Sequence, residues 1–174
     1  YALPSAHQND TIGLQADALI QPNGPVHLNL PCGIYYLDAI QTSHGLSITS
    51  TGRSLLIVGG NVSVGGQLNV HPMPGGELDI FIAGTFRAFD KATVGAPSYP
   101  AATRLYLGGQ GDAFFDAGVA LYGMLHTSQS TLKLEDTSEI YGALAVYRFQ
   151  SRLDAYVHYD QAALQLGTFC TPEE

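Results

Sequence analysis

A short apolar stretch followed by glycine recurs along this 174-residue chain and limits the folds that the chain can adopt. The stretches are Ile57-Val58-Gly59, Phe81-Ile82-Ala83-Gly84, Tyr106-Leu107-Gly108, Leu121-Tyr122-Gly123 and Ile140-Tyr141-Gly142. From Gly59 onward, the glycines are separated by 25, 24, 15 and 19 positions, which is the range expected for one coil of a solenoid. Glycine suits the corner of a coil because it has no Cβ and can adopt a positive φ. We therefore predict that these five glycines are corner residues of stacked coils.

The segments around these glycines have the pattern of β-strands. Apolar residues alternate with period two in "NVSV", "LDIFI" and "TLKL", as in strands that bury one face. The candidate strands are 27–30, 33–37, 46–49, 54–60, 61–70, 77–89, 104–109, 113–127, 130–134, 139–146 and 155–160. Only Thr11–Gln21 has a helical pattern, which Pro22 would end. Residues 71–76 and 91–104 are predicted loops.

These features predict an all-β chain that forms a right-handed parallel β-helix with a short N-terminal capping helix. A β-sandwich is the alternative, but it would join its strands through tight turns such as Asn-Gly. The Asn-Gly step of this chain, Asn23-Gly24, precedes the first candidate strand. The length fits one domain, which we divide into a cap and lead-in (1–30), the coils (31–164) and a C-terminal tail (165–174).

Composition narrows the classes of partner. The formal net charge is −8, and the seven lysines and arginines are spread along the chain, whereas a nucleic-acid-binding protein needs a basic face. No apolar run reaches the roughly 18 residues that suggest a membrane span. Cys32 and Cys170 are not part of a Cys-x-x-Cys zinc motif. They are either two buried free thiols or one disulfide, and the disulfide is favoured if the protein is exported.

An ordered set of segments resembles a known bacterial family. The segments are "LPCGIYYL", "LLIVGGNVSVGGQLNV", "LDIFIAGTF", "ALYGMLHTSQSTLKL", "EIYGALAV" and "VHYDQAAL", which span about residues 31–164. They resemble the β-helical C-terminal domain of PilX-like and other type IV pilus-associated proteins of unknown function. One departure is Leu125-His126-Thr127, where that family usually has Tyr-Ala-Pro. The resemblance implies export, a location at the cell surface or pilus, and no known catalysis.

The consecutive residues His158, Tyr159 and Asp160 raise the question of catalysis. In a strand, His158 and Asp160 share one face, and such a pair can orient a general base. The sequence pairs no nucleophile with them, so we predict a structural role. Tyr159 and its neighbours would close the last coil, and Asp160 would cap the following turn.

Other acidic, histidine and tyrosine residues also have both a structural and a functional interpretation. Asp112 and Asp116 share a strand face, as acidic residues do in β-helical polysaccharide lyases, but Phe114 lies on that face too and no Lys or Arg is nearby in sequence, so a catalytic role is not favoured. Glu135, Asp136 and Glu139 form an acidic turn, for which a solvated corner is favoured and a weak calcium site is the minor alternative. The six histidines show no ligand spacing. The ten tyrosines would either stack in the core or form an outer ladder that binds sugar rings.

The sequence therefore predicts a non-catalytic structural or adhesive domain outside a bacterial cell. No catalytic residue, cofactor or metal ligand is assigned. The expected partners are other pilus or surface proteins, further copies of the chain, or glycans, with no nucleic acid and no membrane insertion. The alternatives are a self-assembling extracellular filament subunit and a carbohydrate-binding or carbohydrate-active β-helix protein.

Overall fold

The computed structural model describes residues 7–161, which form one stack of β-strands wound into a solenoid of about six coils. Each coil passes along three faces of the stack. Alternating residues point inward, so period-two sequences fill a continuous apolar interior. Leu56, Ile80 and Leu105 are in register in three successive coils and are all buried. Each such side chain contributes about 1.5–3 kcal/mol when it is removed from water.

The strands divide among the three faces. The first face consists of β1 (Val26–Leu30), β4 (Leu46–Ser50), β7 (Leu68–Pro72), β10 (Ala92–Val94), the starts of β13 (Val119–Leu134) and β14 (Ser138–Ser151), and β15 (Ala155–Tyr159). The second face consists of β2 (Gly33–Leu37), β5 (Arg53–Val58), β8 (Glu77–Ile82), β11 (Thr103–Leu107) and the middle parts of β13 and β14. The third face consists of β3 (Ile40–Thr42), β6 (Val62–Val64), β9 (Phe86–Ala88), β12 (Ala113–Phe115) and the ends of β13 and β14.

Every strand pairs in parallel with the strand of the same face in the next coil. The prediction of a parallel β-helix is therefore confirmed. The β-sandwich alternative is excluded for the described residues, because a sandwich is built from antiparallel strands.

The predicted corner glycines occupy two edges of the stack. Gly59 and Gly108 directly follow strands of the second face, and Gly84 lies one residue further along. Gly123 and Gly142 are in register inside β13 and β14, where the chain turns from the first face to the second. Gly142 has a φ of 145°, and a Cβ there would overlap the carbonyl oxygen of Gly123. The close approach of two backbones requires glycine at that corner.

The predicted helix over Thr11–Gln21 is wrong. Only its first two residues are helical, as the end of a 3-10 turn over Asn9–Ile12 that stops at Gly13 in the left-handed conformation. The chain then follows the edge of the first coil, where Ile20 bridges to Gln41 of β3. Some of its backbone groups pair with this strand edge instead of within a helix: the N–H of Gln21 donates to the carbonyl of Gln41, and the carbonyl of Leu19 accepts from the N–H of Gln41. The segment still covers the N-terminal end of the solenoid, as the prediction of a cap required.

The predicted loops are also wrong in part. Residues 71–76 begin inside β7, which extends to Pro72, and residues 91–104 contain β10 and the start of β11. Only 95–102 leave the coil, and they include a second 3-10 turn, Pro100–Ala102. β3 was not anticipated, because three residues are too few to show a pattern of alternation.

Candidate functional surfaces

Aromatic rings on the outside of the solenoid stack on one another. The ring of Phe81 lies 4.3 Å from that of Tyr106 on the second face. On the first face, Tyr122 lies 5.3 Å from Tyr141, and Tyr141 lies 4.4 Å from His158. All three pairs are nearly parallel, with interplanar angles of 9°, 15° and 7°. Because neighbouring rings cover each other's faces, these stacks hold adjacent coils together and offer mainly ring edges to a ligand.

The three residues at the end of the last strand have separate environments. His158 lies in β15 and is the outer member of the first-face stack, whereas Tyr159 is 67% exposed. The backbone N–H of Asp160 donates to the carbonyl of Gly142 at 2.9 Å, which continues the pairing of β15 with β14. The cap that Asp160 is predicted to provide depends on residues outside the described range, so it stays a prediction.

The two aspartates of the "GDAFFDAG" segment form ion pairs across coils. Asp112 lies 2.6 Å from the Lys133 ammonium, and Asp116 lies 2.8 Å from the Arg87 guanidinium. The hydrogen bond from Lys133 lowers the pKa of Asp112 despite some desolvation. Arg87 and Lys133 both lie over the ring of Phe114, each 4.9 Å from its centroid. These carboxylates therefore belong to a cross-coil network on the third face.

A second network of charges is buried on the second face. Arg53 and Arg104 both bind Glu77 and Asp79, with Arg53 to Asp79 at 2.6 Å and Arg104 to Glu77 at 2.7 Å. Arg104 also donates to the carbonyl of Ala101 at 3.0 Å, and its side chain is only 1% exposed. Burial disfavours its charge, but the hydrogen bonds that it donates to Asp79 and Glu77 outweigh burial and raise the pKa of Arg104. We call this set the buried charge cluster.

The third face carries a shallow groove over the first three coils. Its floor contains Gln41, Ser63 and Arg87, which are in register on successive strands β3, β6 and β9 and point outward. Adjacent strands lie about 4.8 Å apart, so these side chains are evenly spaced along the groove. The other lining residues are Gln21, Pro22, Asn23, Thr42, Ser43, His44, Asn61, Val62, Gly65, Thr85 and Phe89. We call this surface the third-face groove.

The walls of the third-face groove are held by backbone contacts. Asn61 accepts a hydrogen bond from the backbone N–H of Thr85 at 2.8 Å, which fixes its amide across two coils. Gln21 has a φ of 53°, an uncommon conformation for a residue other than glycine. Phe89 is 45% exposed, and Arg87 lies 4.5 Å from its ring centroid. The sequence did not single out any of these residues, because their proximity depends on coil register.

The two ends of the solenoid differ. At the N-terminal end, interior residues of the first coil such as Leu30 and Leu37 are fully buried. At the C-terminal end, Val157 is 50% exposed and Phe149 is 40% exposed. Each continues an interior column, since Val157 pairs with Ile140 and Phe149 pairs with Leu132.

Three further side chains at this end are more than half exposed: Tyr147, Leu153 and Tyr156. Together with Phe149, Val157 and Tyr159, they form a surface that we call the apolar end. A partner that binds there would extend the interior of the stack.

The other sequence predictions have these outcomes. Cys32 lies between β1 and β2, and Cys170 lies outside the described residues, so the disulfide stays a prediction. In the acidic turn, Asp136 accepts from the N–H of Thr137 at 2.7 Å, and Glu139 accepts from the hydroxyl of Tyr141 at 3.3 Å. Within residues 7–161, no group of three or more His, Cys, Asp or Glu side chains is arranged to hold a metal ion.

Comparison with known proteins places the chain in one family. Residues 6–166 match a family described as a domain of unknown function, DUF7305. No curated protein and no solved structure matches the chain. In the part of the chain that the structure describes, no helix has the length and apolar character needed to cross a membrane.

Proposed function

The chain belongs to the DUF7305 family, whose function is not known. We propose that it is a non-catalytic structural and adhesive domain displayed outside a bacterial cell. Its setting would be an assembly associated with type IV pili or another surface structure. The resemblance of its segments to pilus-associated β-helical domains supports this location. A stack of parallel coils also gives a stiff rod, which suits a role in presenting or joining surface components.

The observation that carries the proposal is the apolar end. Interior residues at one end of a solenoid remain exposed unless another element covers them, and uncovered strand edges are sites of association. Val157 and Phe149 at this end continue the columns of Ile140 and Leu132, which are buried in the core. A protein of the same assembly would cover this end and continue the stack.

Self-assembly is the second candidate, because the apolar end could also bind another copy of the chain. The N-terminal end is covered by the segment around Asn9, whose side chain exchanges hydrogen bonds with the backbone of Tyr36 at 2.7 and 2.9 Å. A head-to-tail filament would have to displace that segment. Pairing of two apolar ends would instead give a closed dimer.

The carbohydrate-active alternative has less support. Glycoside cleavage uses one carboxyl group that donates a proton and another that remains free as base or nucleophile. Glu77 and Asp79 are the acidic residues that converge most closely with basic ones, and each accepts bonds from both Arg53 and Arg104. Such pairing occupies both carboxylates and indicates a stabilising role for them.

Size-exclusion chromatography with light scattering, together with electron microscopy, tests the role of the apolar end. The variant Val157→Asp with Phe149→Asp would be compared with wild type, and Tyr99→Asp would be the control because Tyr99 is exposed on the loop before β11. Immunogold labelling of the tagged full-length chain in its native cell tests the location. We expect surface labelling that the double variant weakens and the control retains. Labelling confined to the cell interior would refute the proposal, and an open series of oligomers would favour the filament candidate.

The predicted disulfide between Cys32 and Cys170 would support export, since such bonds persist in oxidising compartments. A loop of this length would stabilise the fold by about 4–5 kcal/mol in a chain-entropy estimate. Alkylation of the unfolded, unreduced protein followed by mass spectrometry tests it. We expect no label without reductant, and labelling of both cysteines would contradict the prediction.

A further inference from the structure

We propose that the third-face groove binds a neutral saccharide chain, with hydroxyl groups held along its floor and one sugar ring packed beside Phe89. This adds a ligand site to the proposed structural role and does not depend on the apolar end. Glycan binding and association of the solenoid are measured separately, so either proposal can fail while the other stands.

The floor and walls of the groove carry polar groups that suit a sugar. The amides of Gln21, Asn23, Gln41 and Asn61 can each donate and accept hydrogen bonds, as can the hydroxyls of Ser43, Ser63 and Thr85. Groups with both capacities match the hydroxyls of a sugar, which also donate and accept. Such groups recur on successive strands, so one extended ligand can contact several coils.

The charge of the groove differs from that of the chain as a whole. The chain carries a formal net charge of −8, yet none of the described residues that line the groove is Asp or Glu. Arg87 is its charged lining residue, and Asp116 partners this guanidinium at 2.8 Å. The groove is therefore close to neutral within an acidic protein, which favours a neutral ligand over a strongly charged one.

The groove also has an aromatic side chain at its edge. Phe89 lies outside the outer ring stacks and is 45% exposed at the groove, with the Arg87 guanidinium 4.5 Å from its ring centroid. Ligand sites typically combine aromatic surface with a few placed polar groups. Gln21, on the opposite side of β3, adopts its uncommon φ of 53° in this same groove, and such residues concentrate at functional sites.

A glycan array followed by calorimetric titration of the best neutral oligosaccharide tests the proposal. The variants are Phe89→Ala and Gln41→Ala. The control for Phe89→Ala is Phe81→Ala, which removes a 42% exposed ring from the second face. The control for Gln41→Ala is Gln150→Ala, which removes an exposed glutamine at the far end of the third face. Circular dichroism confirms that all four variants are folded.

We expect each groove variant to weaken binding by roughly tenfold or more, which corresponds to about 1.4 kcal/mol, and each control to bind as wild type does. Retention of no saccharide by the wild-type protein would overturn the proposal. So would equal losses in groove and control variants, or binding restricted to acidic glycans and abolished by salt.

Discussion

Replacement of Arg104 by alanine is the most direct test of what stabilises the middle of the solenoid. The arginine side chain is 1% exposed, and its partners Glu77 and Asp79 are 14% and 12% exposed. Its removal leaves two largely desolvated carboxylates with less compensation, and loss of one member of a buried ion pair costs about 3–5 kcal/mol. Because Arg53 still binds both carboxylates, we expect a loss near 3 kcal/mol in the free energy of unfolding.

Urea unfolding followed by circular dichroism measures this loss, with the dependence on urea compared between variants to confirm the same transition. Lys133→Ala is the control, because Lys133 and Asp112 are 25% and 35% exposed and such pairs contribute about 1 kcal/mol or less. The double variant Arg104→Met with Asp79→Leu removes a charge of each sign and should recover much of the loss. A cost for Arg104→Ala no larger than that of Lys133→Ala would refute this account of the buried charge cluster.

Gly109, Asp112 and Tyr141 give three further predictions. Gly109→Ala should destabilise the fold by about 1–3 kcal/mol, because its Cβ would overlap the backbone of the adjacent coil. Gly108→Ala should have little effect, because the nearest atom to its Cβ lies 3.5 Å away. Equal thermal unfolding of the two variants would contradict this. The pKa of Asp112 is lowered from 3.8, so its contribution to folding stability is present above that value and is lost as the pH falls through the lower folded value. Wild type should therefore lose more stability than Lys133→Ala below about pH 4 in low-salt urea titrations. Parallel pH profiles of the two proteins would count against this. Burial and a nearby glutamate raise the pKa of Tyr141 above 10.0, so Tyr141→Phe should remove a late step from the ultraviolet titration of the tyrosines, and an unchanged curve would exclude this assignment.

The positions of many strands could be predicted from local alternation, but their partners could not. Gly33–Leu37 agrees with the predicted segment at both ends, because its pattern is a property of five adjacent residues. Pairing depends on coil length, which is 20 residues between Val26 and Leu46 but 17 between Glu139 and Tyr156. No local pattern specifies that variation.

The candidate sites were hidden for the same reason. Asp112 precedes Lys133 by 21 positions and Arg87 precedes Asp116 by 29, so the sequence does not indicate that they pair. No sequence motif points to Gln41. It becomes a candidate binding residue only because it is in register with residues of the next two coils.

The N-terminal helix was predicted from propensity, and tertiary contacts overrode it. Leu19 is 3% exposed, and its carbonyl accepts a hydrogen bond from the backbone N–H of Gln41 in β3. A helix of eleven residues is only marginally stable in water by itself. Hydrogen bonds to the exposed strand edge therefore stabilise this segment more than helix formation would.

The apolar end has a mechanical consequence. A pull along the solenoid axis acts on the coils in series, so resistance is set by the coil that opens most easily. β15 pairs only with β14 among the described strands, and Val157 on it is half exposed. Peeling should therefore begin there, and a partner bound to the apolar end would act as a clamp that raises the force needed to unravel the rod.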